Sequence, residues 1–91
     1  MDTKECITKI YHSKTRGLLT EFEVVFLIID QCATRDVEDV WSVVHEVDKE
    51  KLKRTAETVI DTEGKGVHVL DVDLTLKGAH RLIEYIGRSK T

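Results

Sequence analysis

The sequence predicts a mainly α, compact bundle of four to five short helices, and three observations support this fold class. Apolar residues recur at helical spacing along most of the chain, the 91 residues include no proline, and only five are glycine. Proline and glycine are the residues that most disfavour a helix interior, so long regular elements are permitted here. A chain of this length fits one core, and we treat residues 1–91 as a single helical domain.

The first predicted helix spans residues 2–14 and the second spans residues 20–32. Thr20 is followed three residues later by Glu23, which is the pattern of a capping box at a helix N-terminus. Leu19 and Val24 flank this start as a hydrophobic staple would. Because the second helix is apolar on nearly all sides, we expect it to be the buried centre of the fold.

Three further helices are predicted. The third begins after Thr34 or Asp36 and runs through residues 36–46, with an apolar repeat at positions i, i+3, i+4 and i+7. The fourth covers residues 48–60, with Asp48 at its N-cap position. The last begins with Thr75 as its cap, and we expect it to end at a glycine, Gly87.

The segment between the last two helices permits one small β-hairpin near residues 58–73. Residues 62–66 are rich in turn formers, and apolar residues alternate with Asp71 and Asp73 in the stretch that follows. The alternation predicts a strand at residues 67–74 that would pair with residues 58–62. The competing interpretation extends the fourth helix to Asp61 and leaves residues 67–74 as an extended loop on the core.

Net charge, cysteine content and the length of apolar runs exclude several classes of protein. The net charge of −3, with mildly basic ends and an acidic middle, does not favour a general polyanion binder. Cys6 and Cys32 are too few for a disulfide framework. The longest apolar run, residues 24–29, is too short to cross a membrane, and the first residues lack the plan of a signal peptide. The sequence therefore predicts a cytoplasmic protein with no membrane partner.

Catalytic and metal motifs are weak. Asp71 and Asp73 would offer two carboxylates on one strand face, but a Mg²⁺ site needs further oxygen ligands. Residues 61–66 place a lysine where a calcium loop needs a ligand. The histidines and cysteines show no recognised zinc spacing, and no serine lies in a nucleophile motif. We therefore predict a protein that is not an enzyme and has no cofactor, catalytic residue or metal ligand.

One functional alternative is a winged helix-turn-helix DNA-binding protein. The run from Asp73 to Gly78, Asp-Leu-Thr-Leu-Lys-Gly, resembles the junction at which the last wing strand of that class enters its closing helix. The resemblance covers residues 67–86 well and residues 20–60 loosely. It implies that residues 36–46 and 48–60 form the two motif helices, and that Lys53, Arg54 and Lys65 contact DNA.

The preferred hypothesis is a small, non-enzymatic protein–protein interaction module that binds another protein or itself as a homodimer. The third helix carries an apolar arc wider than one packing face needs, and excess apolar surface in a small domain is typical of an interface. Trp41 and Tyr85 are the predicted anchors, since aromatic side chains dominate interface energetics. The alternative for Trp41 and Tyr85 is that both simply fill the core.

Overall fold

The computed structural model of the protein describes residues 2–45, 49–65 and 71–89, and the regular structure in these ranges is helical. The prediction of a compact, mainly α bundle is confirmed. No described helix combines the length and the apolar character that crossing a membrane would require. The helices in chain order are α1 (Thr3–Thr15), α2 (Glu21–Thr34), α3 (Val37–Val43), α4 (Lys49–Asp61) and α5 (Val72–Ser89).

Helix α2 is the centre of the bundle, as its sequence predicted. The Thr20 hydroxyl accepts a hydrogen bond from the Glu23 amide, and the Glu23 carboxylate accepts one from the Thr20 amide, both at 3.1 Å. This is the predicted capping box. Helix α2 packs against α1, α3, α4 and α5. Its fully buried side chains are Val24, Val25, Ile28, Ile29 and Cys32.

The closest packing joins α2 to α5, and we call this contact the α2–α5 seam. It is defined by Ile29 and Ala33 of α2 and by Gly78 of α5. A Cβ atom at position 78 would collide with the Ile29 carbonyl oxygen and would lie 3.3 Å from the Ala33 amide nitrogen. The absence of a side chain at Gly78 therefore lets the two backbones approach each other directly.

The predicted β-hairpin near residues 58–73 is wrong. Residues 58–61 belong to α4, and residues 72–73 belong to α5. Gly64 has a φ of +79° and donates its amide to the Val59 carbonyl at 2.9 Å, which ends α4 with a left-handed residue. The turn formers at this point therefore terminate a helix, and the competing prediction that the helix reaches Asp61 is confirmed. The predicted strand residues 67–70 lie outside the described residues.

Helix α5 begins at Val72 rather than after a cap at Thr75. The Asp71 carboxylate accepts a hydrogen bond from the Leu74 amide at 3.0 Å, so Asp71 satisfies a free N–H group of the first turn. Thr75 is buried inside the helix and donates its hydroxyl to Asp30 of α2 at 2.6 Å. The predicted cap at Thr75 is wrong because Thr75, although polar, occupies a core position inside the helix.

Helix α3 is shorter than predicted. Asp36 caps it by accepting hydrogen bonds from the amides of Glu38 and Asp39, at 2.9 and 3.4 Å. The helix ends at Val43, and Val44 has an extended backbone with a ψ of 108°. The predicted end of this helix at residue 46 and the predicted cap at Asp48 lie outside the described residues.

Candidate interaction surface

The two aromatic residues singled out from the sequence lie against each other. Trp41 is on α3 and Tyr85 is on α5, and their ring centroids are 6.2 Å apart with the planes at 65°. This edge-to-face arrangement is one of the two favoured by aromatic quadrupoles. Both side chains are half-buried and pack against the core. We call these two residues the aromatic pair.

The neighbouring core residues hold the aromatic pair in place. On α3, Val40 and Val44 face the interior, and Trp41 lies at the edge of that buried stripe. On α5, Leu82 and Ile86 are buried, and Tyr85 lies beside them. Each ring is therefore attached to a packed helix, so the pair is rigid and still partly open to solvent.

A cation covers part of the aromatic pair. The Lys49 ammonium, at the first residue of α4, lies 4.8 Å from the centroid of the Trp41 ring. A cation over an aromatic face is attracted by the negative potential of the ring. The aromatic pair thus joins three helices, α3, α4 and α5.

A cleft of about 440 Å³ adjoins Tyr85. It lies between the start of α3 and the C-terminal half of α5, and charged side chains of both signs line most of it. We call it the charged cleft, and its lining residues are Asp36, Val37, Glu38, Arg81, Glu84, Tyr85 and Arg88.

The arginines of the charged cleft are held by specific contacts. Arg81 donates from Nη1 to the carbonyl oxygen of Ala33, near the end of α2, at 2.9 Å. The Arg88 Nη2 atom lies 3.7 Å from the Glu84 carboxylate, with both side chains exposed. A solvent-exposed pair of this kind contributes little to stability. Arg81 is therefore built into the fold, whereas the exposed pair of Arg88 and Glu84 can exchange partners readily.

The charged cleft was not predicted, although the sequence carries a signal for part of it. Arg81, Glu84, Tyr85 and Arg88 are spaced i, i+3, i+4 and i+7, so they follow one face of a single helix. The contribution of Asp36 and Glu38 depends on how α3 packs beside α5, which local patterning does not reveal.

The residues of the DNA-binding alternative are spread along α4 and the turn after it. Lys53 is half-buried, Arg54 is exposed with its Nε atom 3.4 Å from the Glu50 carboxylate, and Lys65 is exposed. In the described part of the chain, no Cα atom of α3 lies within 8 Å of a Cα atom of α4. The two predicted motif helices therefore do not pack side by side as in a helix-turn-helix.

The cysteines and acids considered as reactive or metal-binding groups have structural environments. Burial raises the pKa of the Cys32 thiol to about 12, against a smaller opposing effect of Arg81. Contrary to the prediction, Asp71 and Asp73 do not share one face of a strand. Asp71 precedes α5, and Asp73 lies in its first turn. Within the described ranges, histidine, cysteine and acidic side chains form no cluster of three or more that could hold a metal ion.

Comparison of the chain with protein-family models, curated proteins and solved structures found no match. The assignment of a function therefore depends on the chemistry of the residues themselves. Among the surfaces described, the aromatic pair with the charged cleft combines large rigid side chains, a concave shape and charges of both signs.

Proposed function

We propose that the protein is a non-enzymatic protein–protein interaction module, and that the aromatic pair with the charged cleft is its docking surface. One observation about the geometry of this surface carries the proposal.

The observation is that Trp41 and Tyr85, on different helices, meet edge to face beside the cleft lined by Arg81 and Arg88. Tryptophan, tyrosine and arginine are the residue types most enriched among side chains that dominate binding energy. Their convergence on one surface supports the proposal.

The rigidity of the aromatic pair supports this role. Docking loses free energy when side chains that moved freely become fixed. Trp41 and Tyr85 already restrain each other, and Lys49 lies over the tryptophan ring. A partner that packs against the pair therefore immobilises little that was mobile before, so more of the contact energy remains as affinity.

The charges of the cleft indicate what kind of partner would fit. Asp36, Glu38 and Glu84 contribute negative charge, and Arg81 and Arg88 contribute positive charge. A surface of mixed sign selects a partner with complementary charges of both signs and does not favour a uniform polyanion. We propose that the partner is a protein segment with an apolar anchor for the aromatic pair and flanking charges for the cleft.

The test compares Tyr85→Ala with Phe22→Ala. Phe22 is a suitable control because it is an exposed aromatic residue, 58% accessible, that does not line the cleft. Sedimentation velocity over a range of concentrations measures self-association, and a photo-crosslinking residue at position 88 in extracts of the source cells identifies other partners. We expect Tyr85→Ala to weaken association by roughly tenfold or more, which corresponds to about 1.4 kcal/mol.

Circular dichroism separates a lost contact from a lost fold. We expect Tyr85→Ala to keep the helical spectrum of the unaltered chain, and Trp41→Ala to weaken association in the same way. A variant that unfolds would instead assign its aromatic residue to the core. Association that survives both aromatic substitutions, or that is lost in Phe22→Ala alone, would contradict the proposed docking surface.

A separate titration tests the DNA-binding alternative. A random-sequence DNA duplex is titrated with the protein at low and at moderate salt while its fluorescence anisotropy is measured. Binding that weakens steeply with salt and is lost when Lys53, Arg54 and Lys65 are all replaced by alanine would overturn the interaction proposal. We expect no binding, since residues 58–61, which the wing would need as a strand, belong to α4.

A further inference from the structure

A second pocket, separate from the charged cleft, lies between α1 and the end of α3. It has a volume of about 230 Å³ and shares no lining residue with the cleft. We call it the histidine pocket, and its lining residues are Lys4, Thr8, Tyr11, His12, Val43 and His45.

The pocket is built from one face of α1 and from the segment that follows α3. Lys4, Thr8, Tyr11 and His12 are spaced i, i+4, i+7 and i+8, so they lie on one side of α1. His45 approaches from the other side of the pocket. Two elements distant in the sequence therefore bring two imidazole rings into one pocket.

The chemistry of the described lining is cationic and hydrogen-bonding. It contains one ammonium group, two imidazole rings and the hydroxyl group of Thr8, and it includes no carboxylate. An ammonium group is a donor only, an imidazole ring carries at least one N–H donor, and a hydroxyl group can donate as well. Such a set can satisfy several oxygen atoms of one anion at the same time.

We propose that the histidine pocket binds a phosphate group, either free or as a small monoester. Lysine binds phosphate as a point charge, and hydrogen bonds to an ionised acceptor are stronger than neutral ones. Lys4, His12 and His45 are exposed, so a ligand can reach them from solvent. Tyr11 is almost fully buried and Val43 is half-buried, and these two give the pocket its less polar wall.

A transition metal fits this pocket less well. The described lining supplies two imidazole ligands, whereas a protein zinc site needs at least three protein ligands. The positive charge of Lys4 would also repel a cation. The phosphate proposal faces one opposing effect, since the last carbonyl groups of α3 carry partial negative charge near Val43. The side chains must therefore supply the attraction, which makes their substitution a sensitive test.

The test is a titration of the ¹⁵N-labelled protein with inorganic phosphate, followed by amide chemical shifts at constant ionic strength. We expect saturable shifts that are concentrated at α1 and around His45. The paired substitution His12→Gln with His45→Gln should weaken binding by about tenfold or more, and Lys4→Gln should weaken it as well, because each removes a hydrogen bond to a charged group. Methyl phosphate should compete for the same shifts.

Two control variants replace a lysine or a histidine that lies outside the histidine pocket. Lys9→Gln alters an exposed lysine of α1 that does not line the pocket, and His80→Gln alters an exposed histidine of α5. We expect both to bind phosphate within twofold of the unaltered chain, because neither side chain lines the pocket. Tyr85→Ala should also leave binding unchanged, which keeps this inference independent of the proposed docking surface.

Several results would overturn the phosphate proposal. Shifts that rise linearly without saturation and spread over all basic residues would indicate unspecific screening. Saturable binding that the pocket variants do not weaken would place the anion elsewhere. Acetate that binds more tightly than phosphate would assign the pocket to carboxylates, and saturable Zn²⁺ binding that requires both histidines would assign it to a metal.

Discussion

The two halves of α5 have different surroundings. The first half, up to Ala79, lies along the α2–α5 seam, where Gly78 brings the helix backbones together and the Thr75 hydroxyl bonds to Asp30. The second half still buries Leu82 and Ile86, but it also lines the charged cleft. One helix therefore combines a closely packed segment with a segment that is open to a partner.

The polar contacts at the two ends of α5 differ as well, although Arg81 of the second half still bonds to Ala33 of α2. The bond from Thr75 to Asp30 joins residues 45 positions apart and connects two helices. The pair of Arg88 and Glu84 joins residues one helical turn apart, and both side chains are exposed. The first kind of bond holds the tertiary structure, while the second contributes little to it. The contact between Arg88 and Glu84 can therefore change on binding without disturbing the fold.

The largest expected effect comes from replacing Gly78 of α5 by alanine. In Gly78→Ala, the new methyl group would collide with the Ile29 carbonyl oxygen, and backbone atoms cannot rotate away as a side chain can. We expect the unfolding free energy to fall by about 3 kcal/mol. For a domain of this size the midpoint of thermal unfolding should fall by roughly 12–24 °C. Circular dichroism during heating measures this midpoint for Gly78→Ala and for its control.

Gly87→Ala is the matched control in the second half of the helix. A Cβ atom at position 87 would meet no atom within 4 Å. Alanine is a better helix former than glycine by about 0.8–1 kcal/mol, so we expect Gly87→Ala to be stabilising. Opposite signs at the two glycines would support the contrast between the two halves. A tolerated alanine at position 78 would mean that the seam is not closely packed.

The sequence predicted those features of the fold that depend on residues close to one another along the chain. The capping box of Thr20 and Glu23 predicted the start of α2, and its apolar composition predicted its central position. It was ambiguous at Gly64, because a left-handed glycine can either turn a hairpin or end a helix. In the structure, Val72 and Leu76 of α5 occupy the space that a Cβ atom at position 64 would need, and this neighbourhood is not visible in the local sequence.

The candidate sites, too, could be predicted only as far as they depend on residues that are close in the sequence. Trp41 and Tyr85 could be named from their residue type, but their contact with each other depends on how α3 packs beside α5. The histidine pocket was missed because His12 and His45 are far apart in the sequence. Gly78 was noticed only as part of a short run of residues, while its structural role depends on the backbone of α2.

A smaller effect is expected from Asp30, which lies in the seam. Burial raises the pKa of its carboxyl group and the nearby charge of Asp71 raises it further, while the hydrogen bond from Thr75 opposes the rise. A raised pKa means that the folded protein binds this proton more tightly than the unfolded chain does. The stabilisation from Asp30 is thus present below its ordinary pKa of 3.8 and is lost as the pH rises through the higher folded value.

Asp30→Asn removes this titration and keeps an oxygen atom that can accept from Thr75. We expect the variant to unfold a few degrees above the unaltered chain at pH 7, and the difference to shrink as the pH falls through the raised pKa of Asp30 towards 3.8. Asp73→Asn is the control, since this exposed acid favours the start of α5 and its loss should be slightly destabilising. A lower unfolding temperature for Asp30→Asn at pH 7 would show that the Thr75 bond outweighs burial.

The last prediction concerns the rates at which the two cysteines are chemically labelled, and it needs no change of the sequence. Cys32 of α2 is fully buried with a pKa of about 12, whereas Cys6 of α1 is half-buried. Because the thiolate is the reactive form, we expect iodoacetamide at pH 8 to modify Cys6 well before Cys32. Peptide mapping by mass spectrometry over time measures the two rates.

The rate at Cys32 then reports how often the seam opens, since a buried thiol reacts only after local unfolding. Gly78→Ala should accelerate labelling of Cys32 and leave that of Cys6 nearly unchanged, while Gly87→Ala should accelerate neither. Equal rates at the two cysteines in the unaltered chain would mean that α2 separates readily from its neighbours. In that case the contrast between a closed and an open half of α5 would not hold in solution.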